Sequence, residues 1–245
     1  MARHLLLRLQ APLMAFGGEA IDNFGVIRDF PALSMVVGLL ANALGWRREE
    51  TARHDRLQER LMLGARIERA GTRIQDYQTA LLFENDSGWT TQGVPEGRAK
   101  SPSYSPQKDG SKSLTLQRFR DYHADRVLLI ALRLEPAEES PTLDDLATAL
   151  DRPARPLFLG RKPCLPSARL FVGWQPGDTL LHALQGAACP SADQDSLRVQ
   201  WPDGEGTLPG DRHIELCDER RWNSGVHGGW RPIREGRLQR EGEST

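Results

Sequence analysis

The chain has 245 residues, 39% hydrophobic and 27% charged, with a net charge of −1, an ordinary globular mix long enough for one large domain or two small lobes. No apolar run approaches the roughly 20 residues that span a bilayer. The start, Leu5-Leu6-Leu7, is too short for a signal peptide, and three scattered cysteines (Cys164, Cys189, Cys217) lack any CxxC partner, so a reducing cytoplasm is expected, with no membrane span, disulfide framework or zinc site.

Residues 3–9 read as a core strand that leaves its sheet at Gln10-Ala11-Pro12. A loop with Gly17, Gly18 and Gly25 carries Phe16, Phe24 and Phe30. Pro31 closes it before Ser34, which reads as the N-cap of a buried helix, Met35–Leu44, ended by Gly45. A second helix is predicted over Asp55–Met62. Strand-like segments Gly64–Arg69 and Thr72–Phe83 flank a turn at Ala70-Gly71, which predicts a hairpin. Residues 84–112, rich in Gly, Ser, Pro and Lys, are too long for an ordinary connection and are either disordered or a functional protrusion. The protrusion is favoured, because Tyr77-Gln78-Thr79 and Leu114-Thr115-Leu116 suit the two sides of an extended ribbon.

Arg126–Leu134 (RVLLIALRL) is the clearest buried strand, and Thr142–Leu150 a short helix capped by Thr142, with Asp144 and Asp145 in its first turn. Pro156–Gly160, Leu170–Trp174, Ser196–Trp201 and His213–Cys217 read as later strands. A small helix lies near Asp178–Leu184, and the tail after Glu235 reads as frayed. The order over residues 1–155, with an insertion at about 84–117, is strand, helix, strand, strand, helix, strand. That is the split βαβ order of an α+β ferredoxin-like sheet, followed by a smaller β-rich region at 156–245. RNA-recognition domains share this order, and so do small enzymes and metal carriers.

Charge is segregated along the chain. Arg98 to Arg133 holds eight basic residues against three acidic ones, Glu135 to Asp151 six acids and no base, and Arg152 to Arg169 five bases and no acid. Chance clustering explains this as readily as a basic groove does. Single-stranded RNA is held by cations tracking phosphates and by aromatic rings stacking on bases. Candidates for phosphate contact are Arg98, Lys100, Lys108, Lys112, Arg118, Arg120, Arg161 and Lys162, and for stacking Phe16, Tyr77, Trp89 and Tyr104. Each alone is as well explained by surface charge or core packing; only their interleaving in one protrusion raises the set.

The six histidines show no metal-ligand spacing, and no GxSxG, Walker or GxGxxG motif occurs, so neither a metal nor a cofactor is expected. One catalytic option stays open. Tyr122 and His123 sit beside Arg118 and Arg120, and a His or Tyr base with a cationic partner cleaves RNA without metal. The plainer alternative has Tyr122 packing and His123 facing water.

Leu5–Gly17 (LLLRLQAPLMAFG), Phe30-Pro31 and Ser34–Gly45 (SMVVGLLANALG) resemble the CasD family, a RAMP-type subunit of type I-E CRISPR Cascade complexes. The likeness continues in order through Asp76-Tyr77-Gln78-Thr79, Leu116–Tyr122 (LQRFRDY), the RVLLIAL strand, Leu157–Cys164 (LFLGRKPC) and Leu170–Gly173. The resemblance implies a ferredoxin-like palm with a β-hairpin thumb that holds the 5′ handle of the CRISPR RNA. It also implies a Cascade backbone subunit and the large subunit as neighbours, with target DNA met only indirectly. The resemblance further implies that another subunit cuts the RNA and that this protein is non-catalytic, whereas in a related branch the homologous protein is itself the nuclease. Where family members carry a basic residue just before the helix-capping Ser, this chain has Ala32-Leu33, and Arg28, a little earlier, is the expected substitute.

Overall fold

The computed structural model describes residues 2–18, 23–83, 87–89, 95–97, 105–106, 112–190 and 195–239. The chain begins with strands β1 (Ala2–Gln10), β2 (Leu13–Met14) and β3 (Phe24–Gly25), helices α1 (Leu33–Ala43) and α2 (Thr51–Arg60), and β4 (Leu61–Arg69). Then come β5 (Thr72–Phe83), three short strands, β6 (Ser87–Trp89), β7 (Pro95–Gly97) and β8 (Ser105–Pro106), and the long β9 (Lys112–Ala124). The rest comprises β10 (Val127–Leu134), α3 (Leu143–Asp151), β11 (Phe171–Gly177), α4 (Leu180–Gly186), β12 (Ser196–Pro202), β13 (Arg212–Cys217) and β14 (Trp230–Gln239). The result is a mixed α+β fold in which strands predominate. No helix among the described residues is long and apolar enough to cross a membrane.

Two compact units divide the chain. A sheet unit contains Met1–Gly18, Ile27–Ile74 and Tyr122–Thr245, and a ribbon unit contains Glu19–Val26 and Gln75–Asp121.

The sheet unit is organised by seven strands in the order β11-β1-β10-β4-β12-β14-β13, each antiparallel to its neighbours. It follows that β1 and β4 run parallel with β10 between them, joined through α1 and α2. In the same way β10 and β11 run parallel with β1 between them, joined through α3. β10 has no residue to spare for water because both faces are covered. Leu128, Ile130 and Leu132 pack with α1 and α3 through Val36, Val37, Leu40, Leu146 and Leu150, while Leu129 and Ala131 pack with Leu180 and Leu184 of α4 and with Trp201. Alternation along the strand sends successive residues to opposite faces, so a strand buried on both reads as an unbroken apolar run.

From the C-terminal part, β11, β12, β13 and β14 extend the sheet that holds β1 and β4. Several expectations need correction. Residues 156–160 form a loop rather than a strand, and β14 continues through Gln239, where a frayed tail was expected. β4 and β5 are not a hairpin, since β4 pairs with β10 and β12 whereas β5 pairs with β9. Ser34 is not the cap of α1. It lies buried inside the first turn, and Ala32 stands at the N-cap without a side-chain bond. The helix is capped from 185 residues away: Leu33 N–H donates to Asp218 Oδ2 at 2.9 Å, and Ser34 N–H to the Asp218 carbonyl at 3.1 Å. Arg231 grips the same carboxylate with two bonds of 2.8 Å, so a buried anion meets both the orphan helix donors and a cation.

Candidate nucleic-acid interface

In the ribbon unit the sheet is built on β9, which pairs with β5, with β8 and, in parallel, with β3. The parallel register sets Phe24 opposite Phe119. Their rings stack with centroids 5.0 Å apart and planes 14° from parallel, and Tyr77 on β5 lies 5.0 Å from Phe119 on its other side. Tyr77 is 52% and Phe24 49% exposed, so a three-ring ladder opens to solvent instead of closing a core. Strand alternation sends Arg118 and Arg120 to the face opposite Phe119. Arg118 Nη1 donates to Asn23 Oδ1 and, at 3.0 Å, to the Gln117 carbonyl, and neither acceptor carries charge. Exposed rings on one face suit base stacking, and the cations on the other face suit phosphate contacts of their own.

Of the stacking candidates, Tyr77 holds such a position and Phe16 does not. Phe16 is 0% exposed in the sheet unit's core, 6.0 Å from the His123 ring, so no base reaches it. Sequence reading missed Phe24 and Phe119 as ring partners. The available signal was Phe119 lying between two arginines on a strand that returns beside Tyr77. Arg98, Lys100, Tyr104 and Lys108, with the side chains of Trp89 and Lys112, lie outside the described residues.

The remaining candidates belong to the sheet unit. Arg161 and Lys162 sit in a tight loop in which Leu159 N–H donates to the Cys164 carbonyl at 2.7 Å and Ala15 N–H to the Leu159 carbonyl at 3.2 Å. Gly160 is obligatory there: its φ is +94°, and a Cβ would lie 1.8 Å from the Ala15 carbonyl oxygen. The turn holds Arg161 over the Tyr122 ring at 4.8 Å and leaves Lys162 exposed. Arg28 borders an open hollow of about 330 Å³ with Asp29, Phe30, Arg198, Arg212 and Glu235. Burial works against ionisation of Asp29, yet Arg198 at 2.7 Å and Arg126 at 3.3 Å hold its carboxyl below the usual range.

Tyr122 and His123 are 3% and 4% exposed, which corrects the expectation that His123 faces water. The ring Nε2 lies 3.0 Å from the Arg28 carbonyl, to which its N–H donates, and Arg126 Nη1 lies 2.8 Å from Nε2 and 3.1 Å from Nδ1. Burial lowers its pKa, with Arg126 adding to the effect, while the bond to the Arg28 carbonyl opposes it. A neutral imidazole with both nitrogens engaged by protein is a structural link and is poorly placed to take a proton from a 2′-hydroxyl. Among the described residues no group of three or more His, Cys, Asp or Glu side chains could hold a metal ion.

Comparison with known proteins places these features. The model of the family described as "CRISPR-associated protein (Cas_Cas5)" matches residues 4–234. The Escherichia coli (strain K12) protein "CRISPR system Cascade subunit CasD" is 26% identical over 181 residues, 71% of this chain and 71% of that protein. A chain of a solved "CRISPR RNA-guided surveillance complex" superposes with a TM-score of 0.67 at 23% identity, covering 96% of this chain and 90% of that one. A "Crystal structure of Cas protein" gives 0.56 at 23% identity, covering 97% and 96%. With nearly the whole sheet unit and ribbon inside the matched span, the chain belongs to the CRISPR-associated Cas5 family.

Proposed function

We propose that this chain is a non-catalytic, RNA-binding subunit of a type I-E Cascade surveillance complex that holds the 5′ handle of the CRISPR RNA. In this reading the interleaved crossovers of β1, β4, β10 and β11 are a ferredoxin-like palm and the ribbon unit is a thumb. The protein sits at one end of the RNA filament, beside a backbone subunit and the large subunit, and meets target DNA only through them. The observation that carries the binding half is the exposed ladder of Tyr77, Phe119 and Phe24, whose middle strand also presents Arg118 and Arg120. The non-catalytic half is supported by burial of Tyr122 and His123, which takes away the base that a metal-independent endoribonuclease would need.

Expression beside its neighbouring genes tests both halves. The chain is expected to elute with a guide RNA and large partners, and to leave repeat RNA uncut in EDTA. In the isolated chain Arg118→Ala with Arg120→Ala is expected to weaken binding of a repeat 5′-end RNA and to flatten its salt dependence by about 0.7 in log–log slope per lost phosphate contact. Site-specific cleavage that His123→Ala abolishes would sink the non-catalytic reading. Affinity indifferent to salt and to both arginines would sink the binding one.

A further inference from the structure

Residues 219–229 of the sheet unit form a loop bearing Gly225, Gly228 and Gly229 that the ribbon does not explain. Arg220 pairs with His227 in an isolated antiparallel bridge. Inside it Arg221 N–H donates to the Val226 carbonyl at 3.0 Å and Gly225 N–H to the Arg221 carbonyl at 2.8 Å, with Gly225 at φ +74°. Gln58 of α2 clamps Arg220 from both sides: its Oε1 accepts from Arg220 N–H at 3.1 Å and its Nε2 donates to the Arg220 carbonyl at 3.1 Å. The guanidinium of Arg220 rests over the Trp222 ring at 5.1 Å, and Trp222 is fixed in turn by the His54 ring at 4.6 Å and by Gln58 Oε1 at 3.2 Å. The cation is therefore held in place before any ligand arrives.

Among the described residues neither Arg48 nor Arg220 forms an ion pair, and Arg220 Nε is buried without a hydrogen-bond partner. A Cβ at position 225 would lie 3.2 Å from Arg220 Nη2 and 3.7 Å from Arg48 Nη2, so both guanidinium groups border one open point that glycine leaves unfilled. Burial lowers the pKa of Arg220, and Arg48 lowers it further; burial, Arg220 and Arg28 do the same to His227. The nearby carboxylates are turned to other tasks. Asp218 is bound to Arg231, Asp55 accepts from Trp222 N–H at 3.3 Å, and Glu219 has its pKa raised by burial and by Asp218. Like charges held side by side repel unless an oxyanion sits between them, and a guanidinium pair matches the bidentate geometry of phosphate.

We infer that Arg48, Arg220 and His227 form a phosphate site that takes a backbone phosphate of the bound RNA. This rests on the RNA-binding reading above and adds to it a contact made by the sheet unit. The test is titration of the full-length chain with single-stranded repeat 5′-handle RNA over a range of KCl, with inorganic phosphate tried separately as ligand and competitor. Arg48→Gln with Arg220→Gln is expected to weaken binding roughly tenfold or more and to reduce the salt slope by about 0.7. Arg48→Gln alone, at an exposed side chain, keeps the test usable if the double variant does not fold. If inorganic phosphate binds while RNA affinity and slope are unchanged in the variants, the site takes free anions only and the inference is overturned. If Arg118→Ala weakens RNA binding and Arg48→Gln does not, the inference falls and the RNA-binding reading stands. If the wild-type chain binds no RNA, alone or co-purified with its partners, that reading falls and takes the inference with it.

Discussion

Arginine does opposite work in the two units. In the sheet unit, Arg66 is nearly enclosed, 2.8 Å from Glu68 Oε1, and its other donors reach the carbonyls of Leu184, Ala187 and Ala188 at the C-terminal end of α4. Arg133 likewise faces Glu205, whose second oxygen accepts from the first N–H of α4, that of Leu180, at 2.7 Å. One helix is thus tied at both ends by buried charge. In the ribbon unit Arg118 finds only neutral acceptors, and the rings beside it face solvent. An arginine that holds a fold is surrounded by fixed acceptors and a counter-charge, whereas one that awaits a ligand has neutral acceptors only and no counter-charge of its own.

The largest effect expected from this contrast lies at Glu68, which is 0% exposed. Glu68→Ala leaves Arg66 buried without its counter-charge and should cost about 3–5 kcal/mol of folding stability. Urea denaturation measures it; a loss below about 1 kcal/mol would mean that Arg66 is satisfied by carbonyls alone and that the pair is dispensable.

The next effect belongs to the ribbon and has the opposite profile. Phe119 lies 5.0 Å from both Phe24 and Tyr77, so Phe119→Ala removes the middle ring of the ladder. Affinity for single-stranded handle RNA should fall by about 1–3 kcal/mol, with a stability change smaller than that of Glu68→Ala. Unchanged affinity with a large stability loss would make the ladder a core in miniature and erase the distinction between the units.

Where the sequence carried a local signal, the elements were legible. The apolar run of β10, the capping box of α3 at Thr142 and Asp145, and Gly45 at φ +79° after α1 are set by near neighbours. What failed depended on partners far along the chain. Ser34 looked like a cap because Asp218, the real one, is distant in sequence. β14 escaped notice because its buried apolar residues, Ile233 and Leu238, fall five apart, on opposite faces of the strand, and give no period of two. The site was half legible for the same reason. Tyr77, Arg118 and Arg120 could be named from composition, but Phe24 becomes Phe119's neighbour only through a two-residue parallel pairing, and Phe16 is apolar enough to be either a ligand ring or core.

The smallest expected effect is on pH dependence, and it belongs to the buried side of the comparison. The His123 pKa is lowered in the folded chain, whereas an unfolded histidine titrates near 6.5. Between the folded value and about 6.5 the unfolded chain binds a proton that the folded chain refuses, so stability rises with pH across that window. The contribution is complete above the unfolded pKa and is lost as pH falls through the folded one. His4 and His227 are lowered chiefly by burial and act in the same sense, while Asp29, itself lowered, titrates below this range. Thermal melts at about pH 7.5 and 5.5, on either side of the unfolded value, should show the lower midpoint at the lower pH. His123→Gln keeps an acceptor for Arg126 and a donor for the Arg28 carbonyl, so it should narrow the difference between the two melts without abolishing the fold. A gap as wide in the variant as in the wild type would place the titration on His4 and His227 and leave His123 out of it.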